Sequence, residues 1–248
     1  MKNEEFITAR FHDVKNLGWV KSNRYSKAEI GETFMDCIKV LEKDPDNCNL
    51  AGYEVKDHRM ESASYVTLFA KSPSFPKRGA IAYLKDRFGT PYDDNTELNK
   101  LHTAVSANSY NTYAGTYSFR LINDRENGRI HLAVYTLDHE LIDKTVYYTY
   151  DDIRHILNRK LNNLFYAEAE RRFENGDEYV RFTSAEIYSE PSFERFLEMV
   201  DNGDIRYNIR IGCYQSGEKY GKPYDHGSGF RIKEYNIRRL YSSRKRIQ

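Results

Sequence analysis

The chain is 248 residues long, 30% of them charged, with a formal net charge of +1. That length is enough for one large domain or two interlocked lobes with a real core. The balanced charge excludes polyanion binding through bulk charge, so any nucleic-acid contact must rest on local basic patches.

Ser26 caps a predicted helix that runs to about Lys43, with Ile30, Phe34, Ile38 and Leu41 recurring at helical spacing. Asp44-Pro45-Asp46-Asn47 ends it. Strands follow at about 52–56 and 64–70, and the prolines of Ser72-Pro73-Ser74-Phe75-Pro76 mark a loop. Lys77-Arg78-Gly79 opens a short helix to about Phe88, and the polar stretch 90–114, rich in Asn, Ser and Tyr, reads as loop. Beyond it the pattern turns to strands. Segments 117–122 and 129–135 flank a turn as a hairpin, with a third strand over 141–148. A helix over about 150–161 puts Ile153, Ile156, Leu157 and Leu161 on one face. A second hairpin joins 163–173 to 178–188, a helix covers about 191–201, and a long strand spans 205–214. A Gly/Lys/Tyr loop over 215–229 leads to Phe230-Arg231-Ile232, a last short strand before a basic tail. Strands outnumber helices, so the class is mixed α/β, β-rich.

Three cysteines, Cys37, Cys48 and Cys213, form no Cys-x-x-Cys pair, so zinc is not expected. Their odd number suits a reducing cytosol. The opening Met1-Lys2-Asn3-Glu4-Glu5 is not the start of a signal peptide, and no apolar run reaches membrane-spanning length. A cytoplasmic protein without a membrane partner is the expectation. The 21 tyrosines, against one tryptophan, suit both sheet faces and wet interfaces.

One short strand carries chemistry. In Tyr53-Glu54-Val55-Lys56, alternate side chains share a face, so Glu54 and Lys56 are predicted to point together. A carboxylate beside an ammonium is what metal-dependent phosphodiester cleavage requires: an oxygen ligand for Mg²⁺ and a cation near the attacking water or scissile phosphate. Such sites usually add an acid a few residues upstream. Here Asn47-Cys48-Asn49-Leu50-Ala51-Gly52 contains none.

Further stretches are Gly31-Glu32-Thr33-Phe34-Met35-Asp36, Leu68-Phe69-Ala70-Lys71-Ser72-Pro73, Arg78-Gly79-Ala80, Arg87-Phe88-Gly89, Asn208-Ile209-Arg210-Ile211-Gly212 and Asp225-His226-Gly227. In order and spacing, from Gly18-Trp19 onward, they resemble the MvaI/BcnI family of type II restriction endonucleases. That family is related to the nickase MutH within the PD-(D/E)xK nuclease superfamily. The resemblance implies a restriction-endonuclease-like core, a mixed sheet flanked by helices, in a two-lobed clamp on double-stranded DNA. The catalytic lobe would cover about 20–75 plus part of 115–190, and the recognition lobe mainly 76–114 and 200–248. It implies a monomer that cuts short duplex sites with Mg²⁺, or Mn²⁺ in its place, alongside a cognate DNA methyltransferase.

Carried over by residue, Glu54 is a metal ligand, Val55 offers its backbone carbonyl, and Lys56 sits by the attacking water or phosphate. The family Asp falls on Asn49 and the family helix Glu on Met35, both neutral here. Either the acids have been replaced to keep substrate intact, or the natural protein has lost or rearranged its site. Asp36 and Glu32 lie nearby, but a helix rotates Asp36 about 100° from Met35, which argues against simple replacement. For recognition, Arg210 matches a bidentate guanine reader. Asn208 shares its strand face where the family more often has Asp. Asp225 and His226 occupy a Gly-flanked loop, and Arg231 is a minor-groove candidate. Lys71, Lys77, Arg78 and Lys85 are candidate phosphate contacts, as are Arg238-Arg239 and Arg244-Lys245-Arg246 in the tail, against the competing reading of a solvated charged surface. Two alternatives to a double-strand endonuclease remain: a site-specific DNA-binding relative that does not cut, and a MutH-like nickase.

Overall fold

The computed structural model describes residues 3–22, 30–42, 53–57 and 65–248. Two compact units divide the chain, one comprising Met1–Ser62, Asn158–Pro191 and Arg238–Gln248, the other Ala63–Leu157 and Ser192–Ile237.

The first unit is a sheet with two helices on one face, strands and helices being numbered along the chain. Helix α1 (Asn3–Lys15) presents Ile7, Phe11 and Val14, spaced four and three residues apart, and helix α2 (Ile30–Glu42) presents Ile30, Phe34 and Ile38. These pack on Phe165, Ala167, Val180, Phe182, Ala185 and Ile187 of two long strands, β10 (Asn163–Glu174) and β11 (Asp177–Pro191). The Phe34 ring stacks on Phe165 at 5.2 Å and meets Phe182 edge-on at 5.3 Å. Burying each such ring stabilises the unit by about 1.5–3 kcal/mol. The strand order is β1 (Trp19–Lys21), β11, β10, β2 (Glu54–Asp57), with β15 (Tyr241–Ile247) also on β11. All pairs are antiparallel except β2, which runs parallel to β10.

The second unit holds two sheets. In one, β3 (Tyr65–Phe69), β14 (Gly229–Lys233), β12 (Ile205–Cys213), β5 (Asn99–Val105) and β4 (Thr90–Pro91) lie in that order, with β13 (Pro223–Asp225) added to β12. In the other, β7 (Arg129–Tyr135) is paired by β6 (Ser118–Asp124), β8 (Leu141–Asp143) and β9 (Tyr147–Thr149). Strand β12 alternates strictly: Ile205, Tyr207, Ile209 and Ile211 are buried, while Arg206, Asn208 and Arg210 point the other way. The buried Tyr207 and Tyr148 hydroxyls bond each other at 2.9 Å, which satisfies two polar groups in an aromatic core with Phe69, Phe196 and Phe230. Gly229 admits β14 close to β3, because a Cβ there would overlap the Phe69 carbonyl oxygen and come within 3.0 Å of the Ala70 Cα.

Several elements depart from the sequence reading. The stretch 90–114 is not all loop, since β4 and the central strand β5 lie within it. Leu101 and Val105 face inward, but between them the inward position is Thr103, whose hydroxyl is bonded by Asn111 Nδ2 at 2.7 Å. That satisfied polar side chain hides the alternation. The strand expected over 141–148 is two strands, β8 and β9, each paired with β7. The basic tail forms a 3-10 helix (Glu234–Leu240) and then β15, whose burial is confined to Tyr241 and Ile247 at its ends. Helix α1 and strand β1 were not anticipated. The Ser26 cap, the Asp44–Asn47 stop and Cys48 lie outside the described residues. Among the described residues no helix is long and apolar enough to cross a membrane.

Candidate functional site

Strand β2 lies at the edge of its sheet, with Glu54 opposite Leu164, Val55 opposite Phe165 and Lys56 opposite Tyr166. Val55 packs on the α1/α2 core with Phe165 and Ala167. The two-residue period therefore assigns positions 54 and 56 to the register of Leu164 and Tyr166. The rows continue across the sheet, from Leu164 to Tyr188 to Arg244 and from Tyr166 to Glu186 to Arg246. Asn49 lies outside the described residues. Met35 is half-buried against the hydrophobic core of α1, α2 and the sheet, which suits a thioether and places no oxygen there. Its neighbour Asp36 pairs with Lys39 at 3.5 Å.

Among the described residues no group of three His, Cys, Asp or Glu side chains is arranged for a metal ion. The residue types at 54 and 55 still suit magnesium, which keeps several waters and is commonly bound through one or two carboxylates and substrate phosphates. They offer one carboxylate and one backbone carbonyl, a sparse donor set.

Glu186 is a buried carboxylate that the sequence reading did not single out. It accepts hydrogen bonds from the Tyr188 hydroxyl and from Arg244. Burial is the largest single influence and opposes its charge, but Arg244 and Tyr188 together hold its pKa below the ordinary value. Glu168, on the next row, accepts from Ser184 and lies 3.3 Å from Arg246.

The outward face of β12 has a different character. Arg206, Asn208 and Arg210 line it, opposite Arg231, Gly229 and His102 of the neighbouring strands. None of the three arginines pairs with a carboxylate among the described residues. Arg206 Nε, Arg231 Nε and Asn208 Oδ1 are shielded from solvent and lack a hydrogen-bond partner. A buried donor or acceptor left unmade costs about 1–3 kcal/mol. Burial, then Arg210 and Arg206, lower the pKa of Arg231.

A loop holds further groups beside Arg210. Asp225 Oδ1 accepts from the backbone of Gly227 at 3.0 Å and Ser228 at 2.7 Å. The Ser228 hydroxyl accepts from Arg210 N at 2.8 Å, and His226 N donates to the Arg210 carbonyl at 2.8 Å. Gly227, at φ +91°, makes the turn. Asp225 thus shapes the loop, and His226 is set between Tyr224 at 4.4 Å and His102 at 5.8 Å, both edge-on. Burial, then His226, Arg210 and Lys100, push the His102 pKa down, so its imidazole is neutral near pH 7 and offers one donor and one acceptor. Sequence reasoning missed His102 because β5 read as loop. It missed Arg206 although the alternation Arg206-x-Asn208-x-Arg210 was visible.

The candidate phosphate contacts fare unequally. Lys71 is already countered by Asp152, which also accepts from Ser74. Lys77 and Arg78 are exposed just before helix α3 (Ala80–Phe88). Lys85, expected on that surface, is instead buried, with its ammonium 2.7 Å from Asp86 and 3.1 Å from Cys213 Sγ. Three of the tail cations are taken as well: Arg244 by Glu186, Lys245 by Glu4, Arg246 by Glu168.

Comparison with known proteins places this arrangement. The model of the MvaI/BcnI restriction endonuclease family matches residues 8–241. Among solved structures, the chain is similar to restriction endonuclease MvaI in complex with its cognate DNA substrate, at 32% identity and TM-score 0.79, over 100% of this chain and 99% of that one. It is similar also to MvaI in the absence of DNA, at 31% identity and TM-score 0.71, over 100% and 98%. A search of curated proteins returns no match. With the family model spanning nearly the whole chain and a full-length structural relative above 30% identity, this chain belongs to the MvaI/BcnI restriction endonuclease family.

Proposed function

We propose that the protein binds double-stranded DNA sequence-specifically and is built to hydrolyse it, with Mg²⁺ as cofactor and Mn²⁺ as a substitute. The observation that carries the binding half is the β12/β14 face, where among the described residues three arginines have no carboxylate and shielded polar atoms have no partner. Arg210 would take guanine O6 and N7, Asn208 an adjacent base, and His226 a flanking edge. Arg78 would meet backbone phosphate, while Lys71 would do so only by leaving Asp152. In the cleavage half, Glu54 and the Val55 carbonyl would hold the metal with help from the DNA. Bound Mg²⁺ supplies positive charge at the scissile phosphate and a more acidic water. Lys56 would steady the charge that builds as water attacks phosphorus in line. The products are a 5′-phosphate and a 3′-hydroxyl.

A second reading, a site-specific binder that does not cut, is favoured by the neutral residues Asn49 and Met35. One assay separates the two. Plasmid is incubated with Mg²⁺ or Mn²⁺ and either the chain as it stands or its Asn49→Asp variant. Cleavage by the variant supports a nuclease whose acid has been replaced. Silence from both, and from the variant with Met35→Glu added, sinks the nuclease in favour of the binder.

A further inference from the structure

We infer that Arg206, stacked on Tyr65 and set opposite Arg231, forms with it a binding site for one phosphate of the DNA backbone. The inference rests on the DNA-binding reading above and adds a contact that neither the family resemblance nor the comparisons assign. The Arg206 guanidinium carbon lies 3.3 Å from the centre of the Tyr65 ring. Stacking of this kind holds the planar fork in place before any ligand arrives. Register puts Arg206 directly opposite Arg231, and like charges facing one another across an antiparallel pair repel. Lys233, two residues beyond Arg231, adds a third cation 5.9 Å from the same ring. Lys233 is hydrogen-bonded with Tyr235, and the acid that bears on it least strongly, Asp204, accepts from Asn236 at 2.9 Å.

The pair is therefore held together at a cost, with the Nε of each arginine shielded and unbonded. A phosphodiester relieves the repulsion, since it brings a negative charge and several acceptor oxygens that match the guanidinium fork. Along the same strand face, Asn208 and Arg210 offer the groups that match base edges. Arg206 sits at the other end of that row, where a backbone contact fixes the register of the protein on the duplex.

The test is the salt dependence of duplex binding, measured for the whole chain and for Arg206→Ala in EDTA with a fluorescent pool of random-sequence duplexes. Loss of one phosphate contact lowers the slope of log K against log salt by about 0.9 and weakens binding about tenfold near 0.1 M salt. The loss is expected to be equal for all sequences. An unchanged slope with a lowered melting temperature would mean that Arg206 only packs on Tyr65, and would overturn this site alone. Changed sequence preference at constant slope would also overturn it, by making Arg206 a base reader. If the unaltered chain shows no salt-dependent binding, the DNA-binding reading itself fails, and this site with it.

Discussion

Two arginine-bearing regions of this molecule look alike in composition and differ in what faces their charges. On β15, Arg244, Lys245 and Arg246 each meet a carboxylate: Glu186, Glu4 and Glu168. On β12 and β14, Arg206, Arg210 and Arg231 meet none among the described residues, and two of them keep a shielded Nε without a partner there. The difference lies in what packs against each strand. β11, β10 and helix α1 bring acids to β15, whereas β12 has Gly229, Arg231 and His102 for neighbours. Cations paired within the fold contribute to stability, and cations left without a counter-charge are available to a polyanion. Local charge count does not distinguish the two cases, but partner accounting does.

The largest break in this contrast is expected from Gly229→Ala. The added methyl group meets main chain of β3, which cannot rotate away, so the sheet beneath the arginine face must shift. The expected cost is about 3 kcal/mol, a fall of roughly 6–12 °C in the unfolding midpoint by calorimetry. A variant that melts with the parent would show that the close approach of β14 to β3 is not maintained.

Next comes Arg210→Ala. Loss of one bidentate base contact removes about 1–3 kcal/mol of discrimination between sites, while an outward side chain without an ion pair should change stability by less than about 0.5 kcal/mol. Selection from randomised duplexes reads the first quantity and thermal melting the second. Persisting site preference would move base readout away from β12.

Arg244→Ala probes the other region. It leaves the buried Glu186 carboxylate with Tyr188 as its remaining named donor. Because Arg244 itself is half exposed, the full penalty for breaking a buried pair is discounted to about 1–2 kcal/mol. The sign with pH follows from the lowered Glu186 pKa. Stability from the pair is present above the ordinary glutamate value of about 4.3 and is lost as pH falls through the folded-state value. The gap in melting temperature between parent and variant should therefore close on acidification, with no change in the salt slope of DNA binding.

The contrast also explains what could be read in advance. Strong periodicity made α2, the hairpin of β10 and β11, and β12 legible, because Phe34, Phe165 and Ile209 stand in regular apolar patterns and are buried. Strand β5 was hidden by Thr103, a polar residue placed inward and satisfied by Asn111. Strand β15 was hidden because its order comes from pairing with β11 and from acids distant in sequence. The same blindness affected the sites. Arg210 was found through family motifs, but His102 became visible only when β5 brought it opposite Arg210. Lys85 could not be recognised as buried, because its partner Cys213 is far along the chain. Asp225 is a candidate DNA contact from the sequence, and one of its oxygens organises the loop that carries His226.

The smallest effect, and the sharpest check on partner accounting, belongs to Lys245→Ala. Lys245 and Glu4 form an ion pair in which both side chains are about half exposed, 57% and 47%. Such pairs contribute between nothing and about 1 kcal/mol, so the melting temperature should hardly move. By composition alone, Arg244-Lys245-Arg246 is the most concentrated basic run in the tail and the natural place to expect phosphate contacts. If Lys245→Ala lowers the salt slope of duplex binding by about 0.9, Lys245 exchanges Glu4 for phosphate when DNA arrives. An ion pair in the free protein would then be no guide to which cations face the duplex. If the slope stays constant while Arg206→Ala lowers it, the distinction between paired and unpaired cations holds in solution.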